Sequence, residues 1–270
     1  MAMTHQLFAS KPHTRRSGFA GAVAINAPTL AFAVAEVMKR AERGEGFTLF
    51  TLNLDHLVKM RETPAFAAVY RRANLVTADG WPIVWLARRE HVACERTTGA
   101  DLVDPVCKRA AESGVPVYFV GPGANAQARA LTALKARYEK INIAGASAPW
   151  FSAQPAAEDI DALAERIRAS GARLVFVALG APKQELVADL LAARCPGVGF
   201  MCVGAALDFI SGETRRAPIW MRTTNLEWLW RMLHDPRRLA WRYAKCAAIF
   251  ALFALDPQGA GWRGGVDSSR

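Results

Sequence analysis

The chain has 270 residues, 52% of them hydrophobic, and a formal net charge of +10. That is enough apolar material for one large core, with or without a small appendage, and the basic excess favours an anionic partner. The longest apolar run, Cys246 to Leu255, has ten residues, which excludes a helix spanning a bilayer. The five cysteines are odd in number and form no CxxC or Cys/His cluster, which argues for reduced cytosolic thiols and against a zinc site.

In chain order, Arg15-Arg16 precedes the apolar stretch Gly18 to Ala24, a superficial likeness to a twin-arginine signal. Asn26 and Pro28 interrupt it, and Glu36, Lys39 and Arg40 follow at helical spacing. Residues 1–18 are therefore expected to be a disordered tail. Short β-branched or aromatic runs then alternate with amphipathic stretches. Strands are expected at Phe47–Asn53, Asn74–Asp79, Val115–Gly121, Ile141–Ser147, Arg173–Gly180 and Val198–Ala206. Helices are expected at Thr29–Arg43, Leu54–Arg72 (broken near Pro64), Trp81–Arg89, Ala100–Ser113, Asn125–Tyr138, Pro155–Ser170 and Pro182–Arg194. Consecutive apolar residues, as in Leu174 to Leu179, suit a sheet covered on both faces. The alternation predicts an α/β fold with a doubly wound, mostly parallel sheet of Rossmann-like type over residues 19–212.

The pattern then changes. Asp208 to Pro218 reads as a loop, Leu226 to Leu233 as a short helix, and Asp235-Pro236 as the start of a helix running to about Leu255. Leu239, Tyr243, Cys246, Phe250 and Phe253 share one face of that last helix, with Arg238, Arg242 and Lys245 beside it. Between Glu213 and Lys245 eight basic residues face three acids, and five of the eight Trp lie after residue 219. Residues 213–255 thus form a basic, Trp-rich helical appendage, and 256–270 are expected to be a disordered tail.

Ligands in open parallel sheets bind beyond the carboxyl ends of the strands, and the unusual polar and glycine residues fall there. Asp79 ends an apolar strand before Gly80. It is either a base whose desolvation raises its pKa toward working pH, or an N-cap for the helix at Trp81. Gly121-Pro-Gly123-Ala-Asn-Ala126 fits G-x-G-x-x-A, a cradle for a diphosphate or a tight turn with no ligand. The next strand ends without the acidic residue a dinucleotide site needs, which weakens a nicotinamide oxidoreductase. Pro182, Lys183, Gln184 and Glu185 follow Gly180 at an expected exposed helix start, where phosphate oxygens or ribose hydroxyls would bind unless the turn is merely solvated. The only D-x-D pair, Asp159-Ile-Asp161, reads as a hydrated helix end rather than a metal site. A basic nucleic-acid-binding module is the other rival, although the Trp residues are interleaved with Leu, Met and Phe.

Taken together, Thr51-x-Asn53, Ala78-Asp-Gly80, Glu95-Arg96-x-x-Gly99-x-Asp101, Gly121-x-Gly123, Gly180-x-Pro-Lys-Gln-Glu185, Gly204-Ala-x-x-Asp208-Phe-x-x-Gly212, Arg216-Ala-Pro218, Leu226-Glu-Trp-x-x-Arg231, Pro236-x-Arg238 and Arg242-Tyr243 occur in this order. The series resembles the WecG/TagA/CpsF family of bacterial glycosyltransferases over roughly Val23 to Tyr243. The resemblance implies inverting transfer from a UDP-sugar (glucose, N-acetylmannosamine or its uronate) to a polyprenyl-diphosphate-linked sugar, without a metal or other cofactor, for cell-surface polysaccharide. It implies Asp79 as general base, Thr51 and Asn53 holding acceptor or donor, and Arg96 meeting leaving-group charge. Gly121, Gly123, the Gly180–Glu185 turn and Asp208 would serve the nucleotide. Arg216, Arg231, Arg238 and Arg242 would serve the diphosphate, acceptor and membrane. The implied place is the cytoplasmic leaflet of the plasma membrane, with no nucleic-acid partner and homo-oligomerisation left open. Two positions depart from the family pattern: Pro149-Trp150-Phe151 replaces Gly-Tyr-Phe, and Asn225 replaces a Gly before Leu-Glu-Trp.

Overall fold

The computed structural model describes residues 23–152 and 154–255, the side chain of Arg238 excepted. The expected terminal tails, 1–18 and 256–270, lie outside the described residues. Six parallel strands form one sheet: β1 (Phe47–Leu52), β2 (Leu75–Ala78), β3 (Val117–Val120), β4 (Ile143–Ser147), β5 (Leu174–Val177) and β6 (Gly199–Cys202), in the order β2-β1-β6-β5-β3-β4. The helices are α1 (Leu30–Arg43), α2 (Leu54–Glu62), α3 (Pro64–Arg72), α4 (Trp81–Arg89), α5 (Gly99–Ser113), α6 (Ala124–Arg137), α7 (Ala157–Ser170), α8 (Lys183–Arg194), α9 (Ala206–Ile210), α10 (Ile219–Thr223), α11 (Glu227–His234) and α12 (Pro236–Leu255).

Alternate strand residues point to opposite faces, and the two faces build separate cores. Phe47, Leu49, Leu75, Phe119, Phe176 and Met201 pack under α1, α5, α6 and α9. Phe50, Leu52, Val76, Val120, Val177 and Phe200 pack under α2, α3, α7, α8 and α12. With both faces covered, the strands need no polar alternation. Only the edge strand β4, with its Ala-Gly-Ala centre, is largely half-exposed.

Local chemistry sets the boundaries. Thr29, Asn53 and Thr98 accept side-chain hydrogen bonds from the first turns of α1, α2 and α5, and Thr98 forms a reciprocal capping box with Asp101. Pro64 splits the predicted Leu54–Arg72 helix into α2 and α3, because its ring suits a first turn and not an interior. The strands stop short of their predicted ends, which frees Asn53, Asp79, Gly121 and Gly180 for the loops. The predicted loop from Asp208 contains most of a short helix instead, because Leu207 is fully buried and draws α9 onto the sheet.

The last helix, α12, packs on the α/β domain itself. The face carrying Leu239, Cys246 and Phe253 turns inward, and Cys246, Ile249 and Phe253 join the core beneath α2 and α4. Phe250 packs against Trp81 and Trp85 at ring distances of 5.6 and 5.3 Å. Arg242 and Lys245 reach Asp55 and Glu62 on α2 at 3.1 and 2.6 Å. That apolar stripe is therefore occupied by the protein itself. In the opposite core, Phe119 and Phe176 stack at 4.9 Å on neighbouring strands. Phe176→Ala is expected to lower the unfolding free energy by about 3–5 kcal/mol; a loss below about 1 kcal/mol in urea denaturation would mean the core closes around the gap.

Candidate active site

A cavity of about 630 Å³ lies beyond the carboxyl ends of β1, β2, β5 and β6, roofed by residues of α10, α11 and α12. Asp79 sits on its wall. The backbone N–H of Asp79 donates to Leu52 O at 2.7 Å, so the β1–β2 ladder fixes the residue. Gly80, at φ 102°, holds the N-cap position of α4 in a conformation that disfavours side chains. Asp79 therefore does not cap the helix. Its carboxylate accepts from Asn53 Nδ2 at 3.3 Å. Asn53 in turn caps α2 through Oδ1, which accepts from His56 N at 3.2 Å, so one side chain ends a strand, starts a helix and steadies the carboxylate.

Burial pushes the Asp79 carboxyl from 3.8 up to about 6; Asn53, Arg231 and Arg96 oppose the rise, and Glu227 adds to it. Arg96 arrives on a segment running parallel to the end of β2, where Thr97 N donates to Ala78 O at 2.8 Å. From there an alternating chain of charges links Arg96 to Arg231 beside the cavity. Arg96 lies 3.5 Å from Asp101, Arg216 donates to Asp101 at 2.7 Å, and Glu227 lies 3.8 Å from Arg216 and 3.6 Å from Arg231. Burial alone would raise the Asp101 carboxyl, but Arg216, Thr98 and Arg96 together hold it below its usual range. Phe209 lies beneath the Arg216 and Arg231 guanidiniums at 5.8 and 5.6 Å.

Of the residues singled out from sequence, Thr51, Asn53, Asp79, Arg96, Gly180, Gln184, Arg231 and Arg242 line this cavity. Gly121, Gly123, Pro182, Lys183, Glu185, Asp208 and Arg216 do not. Gly121 has a steric reason for being glycine: a Cβ there would meet Ala178 O at 2.5 Å. Lys183 donates to Phe151 O and lies 5.8 Å from the ring of the exposed Trp150. The first turn of α8 is not exposed as expected, since Gln184 and Glu185 are buried. Their side chains turn into the protein: Gln184 donates to Glu185 at 2.8 Å and accepts from Gly204 N at 2.9 Å. Burial pushes the Glu185 carboxyl up to about 7. Asp208 lies on α9 with its carboxyl raised by burial and by Glu213. Arg216 acts on the cavity through Asp101 and Glu227. The Arg238 side chain is outside the described residues.

Other cavity residues were given no site role from the sequence. His56 is buried and faces Tyr70 Oη at 2.8 Å, and burial lowers its pKa to about 3, so it is neutral. Arg222, Trp228 and Tyr243 also contribute to the wall. Asn225, at the position where the family pattern has glycine, adopts φ 61°, a left-handed conformation that asparagine tolerates better than most residues. Asp161 pairs with Arg194, and among the described residues no group of three or more His, Cys, Asp or Glu is arranged to hold a metal.

A comparison with known families decides what kind of site this is. Residues 20–260 match the family described as "Glycosyl transferase WecG/TagA/CpsF family". The chain belongs to this family. It is accordingly a glycosyltransferase, and its cavity lies where an α/β transferase of the doubly wound type receives ligands.

The raised Asp79 carboxyl has a thermodynamic consequence. The folded chain binds that proton more tightly than the unfolded chain, so its contribution to stability is lost as pH rises from about 4 through about 6. Asp79→Asn keeps the shape and removes the buried charge. The variant is expected to be more stable than the wild type at pH 7.5, by on the order of 1–3 kcal/mol, with the advantage gone below about pH 4. Thermal melts at the two pH values check this, and a less stable variant at pH 7.5 contradicts it.

Proposed function

We propose that the protein transfers a hexose from a UDP-sugar to a sugar on a polyprenyl diphosphate, with inversion and without a metal, at the cytoplasmic surface of the plasma membrane. Asp79 takes the proton from the acceptor hydroxyl as its oxygen attacks the anomeric carbon from the face opposite UDP. The charge that grows on the departing UDP is met by Arg96 and Arg231. One observation carries this reading: the Asp79 carboxyl, pushed up to about 6, shares a cavity with guanidiniums from the C-terminal helices. A carboxylate near that value is a serviceable base at neutral pH, worth about 10²–10⁴ in rate. A preorganised donor at the leaving group is commonly worth about 10²–10³. Thr51 and Asn53 border the same space and are assigned to holding substrate hydroxyls.

Surface chemistry supports a membrane location. Large apolar side chains remain exposed beyond the roof among polar and basic ones: Ile219 is 70% exposed, Trp220 61%, Leu233 68% and Trp241 71%. Exposed Trp with neighbouring arginines suits the headgroup region of an anionic leaflet. No helix among the described residues is long and apolar enough to cross a membrane, so attachment by this route is peripheral. Arg216, Arg231 and Arg242 turn toward carboxylates at the cavity, an arrangement that favours a small anionic substrate over a nucleic acid.

Two experiments test the proposal. With UDP-sugars offered against a synthetic prenyl-diphosphate sugar, Asp79→Asn is expected to reduce kcat by about 10²–10⁴ with UDP binding retained, and EDTA is expected to leave wild-type turnover unchanged. Undiminished turnover by the variant, or loss of turnover on chelation, contradicts the mechanism. In flotation with phosphatidylglycerol-containing vesicles, the double substitution Ile219→Ser, Trp220→Ser is expected to weaken binding by about tenfold or more. Unchanged flotation would place the membrane contact elsewhere.

A further inference from the structure

Four arginines line the cavity, Arg96, Arg222, Arg231 and Arg242, against three carboxylates, Asp55, Asp79 and Glu227. Three of the four arginines have an internal counter-ion. Arg96 lies 3.5 Å from Asp101, Arg231 lies 3.6 Å from Glu227, and Arg242 lies 3.1 Å from Asp55. Arg222 differs. Its Nε, like those of Arg216 and Arg242, is sealed from solvent without a hydrogen-bond partner, but unlike the other three cavity arginines it has no ion pair among the described residues. A guanidinium is always charged and carries donors only, so a half-buried one at a cavity wall with no counter-ion is suited to an anionic ligand that supplies acceptors.

The placement of α10 indicates which ligand. This short helix follows the Arg216-Ala217-Pro218 loop and splits its side chains between two environments. Ile219 and Trp220 are exposed, whereas Met221 is buried and Arg222 borders the cavity. Arg222 therefore lies between the apolar surface assigned above to the membrane and the space containing Asp79. A planar guanidinium there matches the paired oxygens of a diphosphate.

We infer that Arg222 is a diphosphate-binding residue of this transferase, the cavity arginine whose charge no carboxylate of the protein balances among the described residues. The inference rests on the transferase reading above and adds a residue that neither the sequence motifs nor the charge pattern distinguished from its neighbours. Both substrates of that reaction carry a diphosphate, the donor next to uridine and the acceptor next to a prenyl chain.

Calorimetric binding of UDP and of farnesyl diphosphate to the full chain, at fixed salt, distinguishes the two sources. Arg222→Gln is expected to weaken at least one of them by about 10–100-fold, with an unchanged melting temperature. A loss confined to farnesyl diphosphate assigns Arg222 to the acceptor, and a loss confined to UDP assigns it to the leaving group. Arg222→Lys keeps the charge but not the fork, and is expected to recover part of the affinity and remain about threefold weaker than the wild type. It supplies the reading if the Gln variant fails to fold. Affinities within about twofold of wild type for both ligands overturn the inference while leaving the transferase proposal standing. Wild-type protein that binds neither ligand overturns both.

Discussion

A carboxylate is expensive to desolvate, and Asp79 is half-buried on the cavity wall with one side-chain hydrogen bond, from Asn53. The sheet imposes this: the Asp79 peptide extends the β1–β2 ladder, so its position is set by strands whose side chains fill two cores. Left alone, such a group would take up a proton and cease to act as a base at neutral pH. The Asn53 hydrogen bond, Arg231 and Arg96 oppose that outcome and hold its value near 6. The remaining features of the site serve this balance. The 94–98 segment brings Arg96, the 216–231 segment brings Arg231, and Glu227 restrains both the second arginine and the field at Asp79.

The C-terminal helices are consequently part of the site as well as candidates for a surface. The apolar stripe of α12 packs on α2 and α4, and its basic residues pair with acids on α2. This anchoring keeps α11, and with it Arg231 and Glu227, over the ends of the strands. It also separates two roles that a helical projection alone merges. The inward face is structural, and the apolar residues left for a lipid surface lie on α10, the end of α11 and the outer side of α12, at Ile219, Trp220, Leu233 and Trp241.

The fold was legible because its signals are local. Uninterrupted apolar strands, capping Thr and Asn residues, and the break at Pro64 each identify an element without knowledge of its neighbours. The position of Asp79 at a strand end was legible for the same reason. That it leaves the cap of α4 to Gly80 and instead accepts from Asn53 was not, since Asn53 reaches across from the end of another strand. The α8 turn misled because Lys183, Gln184 and Glu185 look like a solvated helix start. Whether such residues face water depends on what lies opposite them, here His56 and Gly204 from distant segments. Arg222 was one basic residue among eight until the counter-ions of the other cavity arginines were placed.

The account depends on Asp79 being a titrating base whose acidity is set by burial against nearby arginines. The pH dependence of kcat/KM for sugar transfer measures this directly. The expected profile falls on its acid side with a midpoint near 6, and that midpoint rises when Arg231 is replaced by Gln, because a cation that favours the carboxylate has been removed. An acid limb near 4, or one that does not move in the Arg231 variant, would contradict the account.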